Sequence, residues 1–291
     1  MISLVTPLYK SDRYLKSYKV VLMDCLEKLN RLNLDYEVIF VPKDPSPAEQ
    51  VFLNDLKTYH WCRVIDSPNP SLYGSWNSGT LAAQGEAVGF LPMDDIRFPE
   101  GIKEAVELIH LGAELVYSPF KVRRYINVLG HNFLVFVKAF HKGVLEFNEK
   151  NYPEFLRSMV YTPFFIFTKS LYQKVGPFDE QFKIAGDFDW CVRAAKISKR
   201  LKRGKEFSGS FRVDGTGVSS GGKLRHVAEN NVVYVRHGQQ GKILPVSLDL
   251  MKEYDPKSLF FRRKKFELSD NGLMGEKNLA DFNSQILTSA I

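Results

Sequence analysis

Apolar residues in the first hundred positions fall into short blocks separated by longer amphipathic stretches. Residues 2–6, 36–41, 63–65 and 87–91 are short runs with the length and composition of buried strands. Between them, residues 14–34 carry Leu15, Val20, Val21, Leu26 and Leu29 on one helical face, and residues 48–59 and 75–84 also read as helices. This alternation predicts an α/β domain built on a parallel, Rossmann-like sheet. From Leu115 to Phe167 the pattern changes. Strand-forming and aromatic residues, with Lys138, His141 and Lys142 among them, predict strands and loops that form the second half of a cleft. Further on, Asp187 falls where an N-cap is expected. Cys191, Ala194, Ala195, Ile197 and Leu201 then make one helical face, and Gly204 is the expected stop. A turn-rich loop leads into a last helix over residues 224–236.

The organising stretch is GEAVGFLPMDDIRFPEGI, residues 85–102. Its apolar run stops at Pro92 and delivers two adjacent carboxylates, Asp94 and Asp95. Pro99 then sits at the expected first position of a helix. In an open α/β sheet, ligands bind at the carboxyl ends of the strands. Two carboxylates there repel unless a cation lies between them. A solvated acidic loop with an Asp capping the next helix is the other reading. The ends of the first two strands, Thr6-Pro7-Leu8-Tyr9 and Lys43-Asp44-Pro45-Ser46, reach the same edge in a parallel sheet. The first strand-to-helix turn has no glycine, which argues against a dinucleotide fold. A phosphate cradle must then be built another way, for instance from a metal ion.

Composition narrows the picture. The chain has 291 residues, 44% hydrophobic and 25% charged, enough for a large core and one main domain with a tail. No apolar run approaches the roughly 20 residues that span a bilayer. No basic segment precedes the first strand, so the expected location is the cytoplasm. Cys25, Cys62 and Cys191 are scattered without metal spacing and read as thiols of a reducing compartment. The net charge of +7 points to an anionic partner. Lys196, Lys199, Arg200, Lys202 and Arg203 read as the solvated, dipole-compatible end of a helix. Phe260-Phe261-Arg262-Arg263-Lys264-Lys265-Phe266 reads either as a peripheral contact with an anionic membrane or as an exposed tail helix. No nucleic-acid motif is present, so no nucleic-acid partner is expected. GVSSGGKL nearly matches a phosphate-binding loop, but Leu224 stands where the metal-binding hydroxyl belongs.

Several motifs in order resemble a family-2 glycosyltransferase of GT-A fold, similar to members that assemble bacterial polysaccharide, capsule and lipopolysaccharide. ISLVTPLYKS resembles the opening strand, with Thr6, Pro7 and Tyr9 in the T-P-x-Y-N order and Lys10 in place of Asn. VPKDPSP resembles the V-D-D-G-S-P nucleotide turn, with Asp44 at the second Asp and Lys43 at the first. SLYGSWNSGTLAAQGEAVGFLPMDD keeps Tyr73, Asn77, Gly79, Ala83, Gly85, Leu91, Asp94 and Asp95 in register. Pro92 takes the first position of the D-x-D motif. KIAGDFDWCVRA resembles the segment that holds the catalytic base, with Gly186 for the common Glu, and DGTGVSS is similar to a G-G-V-S loop.

The resemblance implies an inverting transfer from a nucleoside-diphosphate sugar, a UDP-sugar being favoured, to a hydroxyl of a glycan or lipid-linked acceptor. It implies Mn²⁺ or Mg²⁺ on Asp94 first and Asp95 second, or Asp95 orienting the sugar hydroxyls instead, and Asp187 as general base, with Asp189 structural. Asp44 is expected to meet the base imide and Tyr9 to stack on the base. Thr6, Pro7 and Met93 belong to the implied donor pocket, and Asn77 lies near the diphosphate or ribose, or caps a helix. Residues 1–98 form the nucleotide-sugar half, 99–215 a mixed acceptor half, and 216–291 a C-terminal loop and helical extension. Pro92 prompts the alternative of an inactive sugar-nucleotide binder.

Overall fold

The computed structural model describes residues 1–69, 71–128, 131–140, 144–161, 163–215, 223–239, 250, 253 and 254. Strands β1 (Ile2–Leu8), β2 (Tyr36–Pro42), β3 (Cys62–Val64) and β4 (Ala87–Phe90) alternate with helices α1 (Leu15–Arg31), α2 (Pro47–Leu56) and α3 (Leu72–Ala82). A 3-10 turn, Asp12–Tyr14, precedes α1. Ser46 starts α2 with a capping box closed by Glu49, and Ser71 caps α3 through its hydroxyl. A two-residue strand, β5 (Ile96–Arg97), follows the acidic loop before α4 (Pro99–His110), whose first position is Pro99.

The second half contains β6 (Leu115–Tyr117), β7 (Phe120–Val128), β8 (His131–Phe140), α5 (Tyr152–Arg157), β9 (Ile166–Thr168) and α6 (Lys169–Val175). It ends with α7 (Gly186–Ile197), β10 (Leu201–Arg203), β11 (Gly209–Val213) and α8 (Lys223–Arg236). Among the described residues, seven strands form one sheet in the order β10-β6-β9-β4-β1-β2-β3. All its pairings are parallel except those of β9, which runs against β4 and β6. A smaller sheet, β5-β11-β7-β8, stands beside it.

The large sheet is buried on both faces, and alternation along its strands divides the core. Leu4, Leu8, Val38 and Phe40 pack against α1, α2 and α4. Val5, Ile39, Val41 and Phe90 pack with α3, α6, α7 and α8 on the other side. That second core is aromatic. Trp76 stacks on Phe90 with ring centres 3.6 Å apart, and Phe178 lies between Trp76 and Trp190. These rings join the end of β4 to the helices that carry the acceptor half.

Two expectations need correction. The basic run from Lys199 to Arg203 is not a helix end, because α7 stops at Ile197. Ser198 turns extended and donates its hydroxyl to Glu114 at 2.5 Å, and Leu201–Arg203 joins β6 as a parallel strand. Arg200 then pairs with Glu114, Arg203 with Glu146, and Lys199 lies over the Tyr152 ring. Asp187 is also not the N-cap of α7. Ala185 holds that place, and Asp187 lies inside the first turn. Residues 141 and 142, 217–222 and 260–266 lie outside the described residues, and with them most of the phosphate-loop near-match and the proposed membrane tail. No helix among the described residues is long and apolar enough to cross a membrane.

Candidate active site

Parallel pairing brings the carboxyl ends of β1, β2 and β4 to one edge. At β1, Thr6 is buried, and its hydroxyl lies 3.0 Å from both the Tyr18 hydroxyl and the Leu91 carbonyl. It thus ties β1 to the start of the acidic loop. Pro7 sits opposite Val41 in β2. Tyr9 is 47% exposed, so its ring is free to meet a ligand, and the amino groups of Lys10 and Lys43 lie 5.1 and 4.7 Å from its centre. Asp44 is exposed, in a left-handed backbone conformation (φ 43°) that the tight turn before α2 demands. Met93 is buried in the core beneath the acidic loop.

Asp94 and Asp95 lie in the loop that joins β4 of the large sheet to β5 of the small one. Asp95 is buried, and its Oδ1 accepts the backbone N–H of Arg212 at 2.7 Å. The Arg123 guanidinium donates to the Asp94 carbonyl at 3.2 Å and also to the Tyr125 hydroxyl. Arg212 lies 4.0 Å above the Tyr125 ring and donates from Nε to Asp214 at 2.8 Å. The small sheet therefore clamps the acidic loop with two arginines from β7 and β11. Burial raises the carboxyl of Asp94, with Asp214 adding to the rise, and holds Asp95 well above the usual carboxylate range, with Asp94 adding to it. Asp94 and Asp95 are thus both raised, while the neighbouring Asp214 is paired with Arg212.

A second carboxylate stands at the start of α7. Asp187 is half-buried, and burial pushes its carboxyl up to about 6. The Phe188 N–H at 2.8 Å and the Tyr73 hydroxyl at 3.3 Å oppose that rise. The helix N-terminus favours the charged form, but desolvation is the larger effect. Tyr73 also donates to the Ile184 carbonyl at 2.5 Å. Gly186 permits this contact, since a Cβ there would lie 2.7 Å from the Tyr73 ring.

Residues 183–185 are held from behind. The buried Glu229 of α8 accepts the backbone N–H groups of Lys183, Ile184 and Ala185 at 2.7–3.2 Å, and the Tyr254 hydroxyl at 2.6 Å. Asp189 is fully buried and binds Arg193, Arg236 and His237; Arg236 also binds Asp179. Asn77 is spent nearby. It donates to the Phe178 carbonyl and Glu180, and accepts from the Tyr172 hydroxyl and the Phe178 N–H. Its side chain fixes the loop before α7.

Arg123, Arg212, Asp214 and Glu229 were not singled out in the sequence. For Arg123 and Arg212, the available signal was a basic residue in a strand-forming run of alternating polarity. For Glu229 there was none, because an acid within a polar helix is ordinary.

Helices on both faces of a mainly parallel sheet, with the acidic loop at its carboxyl edge, give the GT-A glycosyltransferase fold. The chain is similar to residues 1–349 of TarS from S. aureus, with TM-score 0.56 and 16% identity over 86% of this chain and 69% of that one. The complex of the same TarS fragment with UDP-GlcNAc gives TM-score 0.57 and 17% identity over 88% and 72%. Against a longer TarS structure the chain spans 43% of the length. It is also similar to glucosyl-3-phosphoglycerate synthase from Mycobacterium tuberculosis, solved with Mn²⁺, UDP and phosphoglyceric acid, at TM-score 0.52 and 14% identity over 81% and 76%. No protein-family model matches the chain, and no curated protein sequence matches it.

Proposed function

We propose that this protein transfers a sugar from a nucleoside-diphosphate donor, a UDP-sugar, to a hydroxyl of a glycan or lipid-linked acceptor, with inversion. The observation that carries this is the presence of two different acidic sites, the loop at the carboxyl end of β4 held by Arg212 and Arg123, and the first turn of α7, where Asp187 meets Tyr73 of α3. One is a crowded pair short of countercharge, Asp94 and Asp95. The other is a single carboxylate, Asp187, whose proton affinity suits a base at neutral pH. The two neighbours described above, complexed with UDP-GlcNAc or with UDP, support the choice of donor.

In this reading the donor base lies against Tyr9, with Asp44 accepting from its imide. The diphosphate reaches the acidic loop, where Arg212 and Arg123 contribute positive field. Asp94 and Asp95 would hold Mn²⁺ or Mg²⁺. The donor set fits, because hard carboxylate oxygens short of countercharge suit a hard cation that takes only one or two protein ligands. Among the described residues there is no cluster of three His, Cys, Asp or Glu side chains placed to hold a metal alone. The diphosphate would therefore complete the shell. When bound, the ion neutralises charge on the departing diphosphate. Asp187 takes the proton of the acceptor hydroxyl. That oxygen bonds to the anomeric carbon as the bond from the carbon to the diphosphate oxygen breaks, and the nucleoside diphosphate leaves with the electron pair.

The test is release of nucleoside diphosphate from a panel of UDP-, dTDP- and GDP-sugars with Mn²⁺, with and without mixed glycan acceptors. Release from a UDP-sugar supports the assignment. No release and no nucleotide binding across the panel would overturn it.

A further inference from the structure

The β7–β8 hairpin presents apolar side chains that stand exposed among the described residues. Phe133, Leu134, Val135, Phe136 and Val137, consecutive along β8, are 44–54% exposed, and Ile126 and Val128 of β7 are similarly open. β8 is the outermost strand of the small sheet.

The register sorts the two faces, since residues opposite each other across a pair share a face. Ile126 lies opposite Phe133, Arg124 opposite Phe136, and Val122 opposite Lys138. Arg123 opposite Val137, and Tyr125 opposite Leu134, make the other face. That second face carries the contacts to the acidic loop. The first face is outward and apolar, with Arg124 set among its side chains and Lys138 beyond Phe136.

Charge identifies the occupant. On the outward face the hairpin carries Arg124 and Lys138, and between Phe120 and Phe140 the chain has no Asp or Glu. A second copy docking here would set these cations against themselves. A nucleic acid would answer the charge and could stack on Phe133 and Phe136, but it would leave the aliphatic Ile126 and Val128 of the same face without an apolar partner. An anionic lipid surface answers both features, phosphates for the cations and acyl chains for the side chains.

We propose that the outer face of this hairpin docks on an anionic bilayer. Phe133, Phe136 and Ile126 enter the boundary between headgroups and acyl chains, and Arg124 and Lys138 meet lipid phosphates. The open backbone edge of β8 stays at headgroup depth, where water remains to hydrogen-bond it. The docking does not depend on the proposed transfer reaction, and its test measures no transfer.

The full chain is sedimented with vesicles of phosphatidylcholine alone and of phosphatidylcholine mixed with phosphatidylglycerol. Binding is expected only to the mixed vesicles, with release at high salt. Phe133→Ser with Phe136→Ser, and separately Arg124→Glu with Lys138→Glu, should each weaken binding on the order of tenfold or more. Melting temperature and nucleotide affinity of these variants should match the parent, which shows that they are folded. Absence of parental binding at low salt overturns the proposal. So does parental binding by both folded variants, which would assign the membrane contact to another part of the chain. A dimer that the Phe variant dissolves would give the face to a second copy instead.

Discussion

Asp187 shows how much rests on one side chain. Burial raises it to about 6, so it is mostly ionised at neutral pH yet basic enough to take a proton. If it is the base, kcat/KM should fall about tenfold per pH unit below about 6 and level off above. Asp187→Asn keeps the size and the acceptor for the Phe188 N–H, so nucleotide affinity should hold while transfer drops by about 10²–10⁴-fold. Stability gives an independent reading. The folded carboxyl is raised above its unfolded value, so folding favours the protonated form, and the group costs stability increasingly as pH rises toward about 6. The Asn variant should therefore melt no lower than the parent at pH 7.5, and any advantage should vanish near pH 4. Near-parental transfer by the variant would remove Asp187 from the mechanism. Gly186 belongs to the same site. Its Cβ would strike the Tyr73 ring, so Gly186→Ala should destabilise the chain by about 1–3 kcal/mol, seen in denaturant melts, and reduce transfer by displacing Tyr73.

At the scale of elements, α8 matters because its Glu229 gathers three successive N–H groups before α7. Removing that carboxylate leaves buried donors without partners, at about 1–3 kcal/mol each. Glu229→Ala should lower the melting temperature clearly. Glu229→Gln, which keeps one acceptor oxygen, should melt closer to the parent. Loss of the Glu229 charge should also shift the acid limb of the transfer profile to lower pH, because that charge raises Asp187. A pH profile unchanged in a folded Gln variant would mean that α8 only supports the fold. The contrast with the sequence reading is physical. β1, β2, β4 and the start of α4 were legible because burial, periodicity and Pro99 are local signals. β10 was not, because three residues become a strand only when β6 and Glu114, more than eighty positions earlier, are beside them. The clamp of Arg212 on Asp95 spans 117 positions and was invisible for the same reason. Asn77 stood out by motif, yet its local setting could not show that four partners around Phe178 would take its amide.

For the whole molecule, the two acidic sites make a joint claim about ligands. Burial raises Asp94, with Asp214 adding to the rise, and raises Asp95, with Asp94 adding to it, so a diphosphate brought alone toward the ionised loop meets like charge. Arg212 is already engaged with Asp214, and Arg123 with the Asp94 and Ser210 backbone carbonyls, and with Arg13 and Arg97 also acting on the pair both carboxyls still stand raised. A divalent cation would turn that repulsion into attraction on both sides. UDP should therefore bind weakly in EDTA and much more tightly with Mn²⁺, and neither ligand alone should match the pair. Because a ligand selective for the folded state stabilises by RT ln(1 + [L]/Kd), the melting temperature should rise clearly only when UDP and Mn²⁺ are both present. Asp44→Ala separates this from the base contact. It should weaken UDP by about 1.5–3 kcal/mol while keeping the same dependence on Mn²⁺, because Asp44 lies in the turn between β2 and α2 and not in the acidic loop. Asp94→Asn should instead abolish the Mn²⁺ enhancement and leave the weak metal-free binding in place. Equal UDP affinity with and without Mn²⁺ in the parent would mean that the arginines alone serve the diphosphate, and the metal assignment to Asp94 and Asp95 would fall.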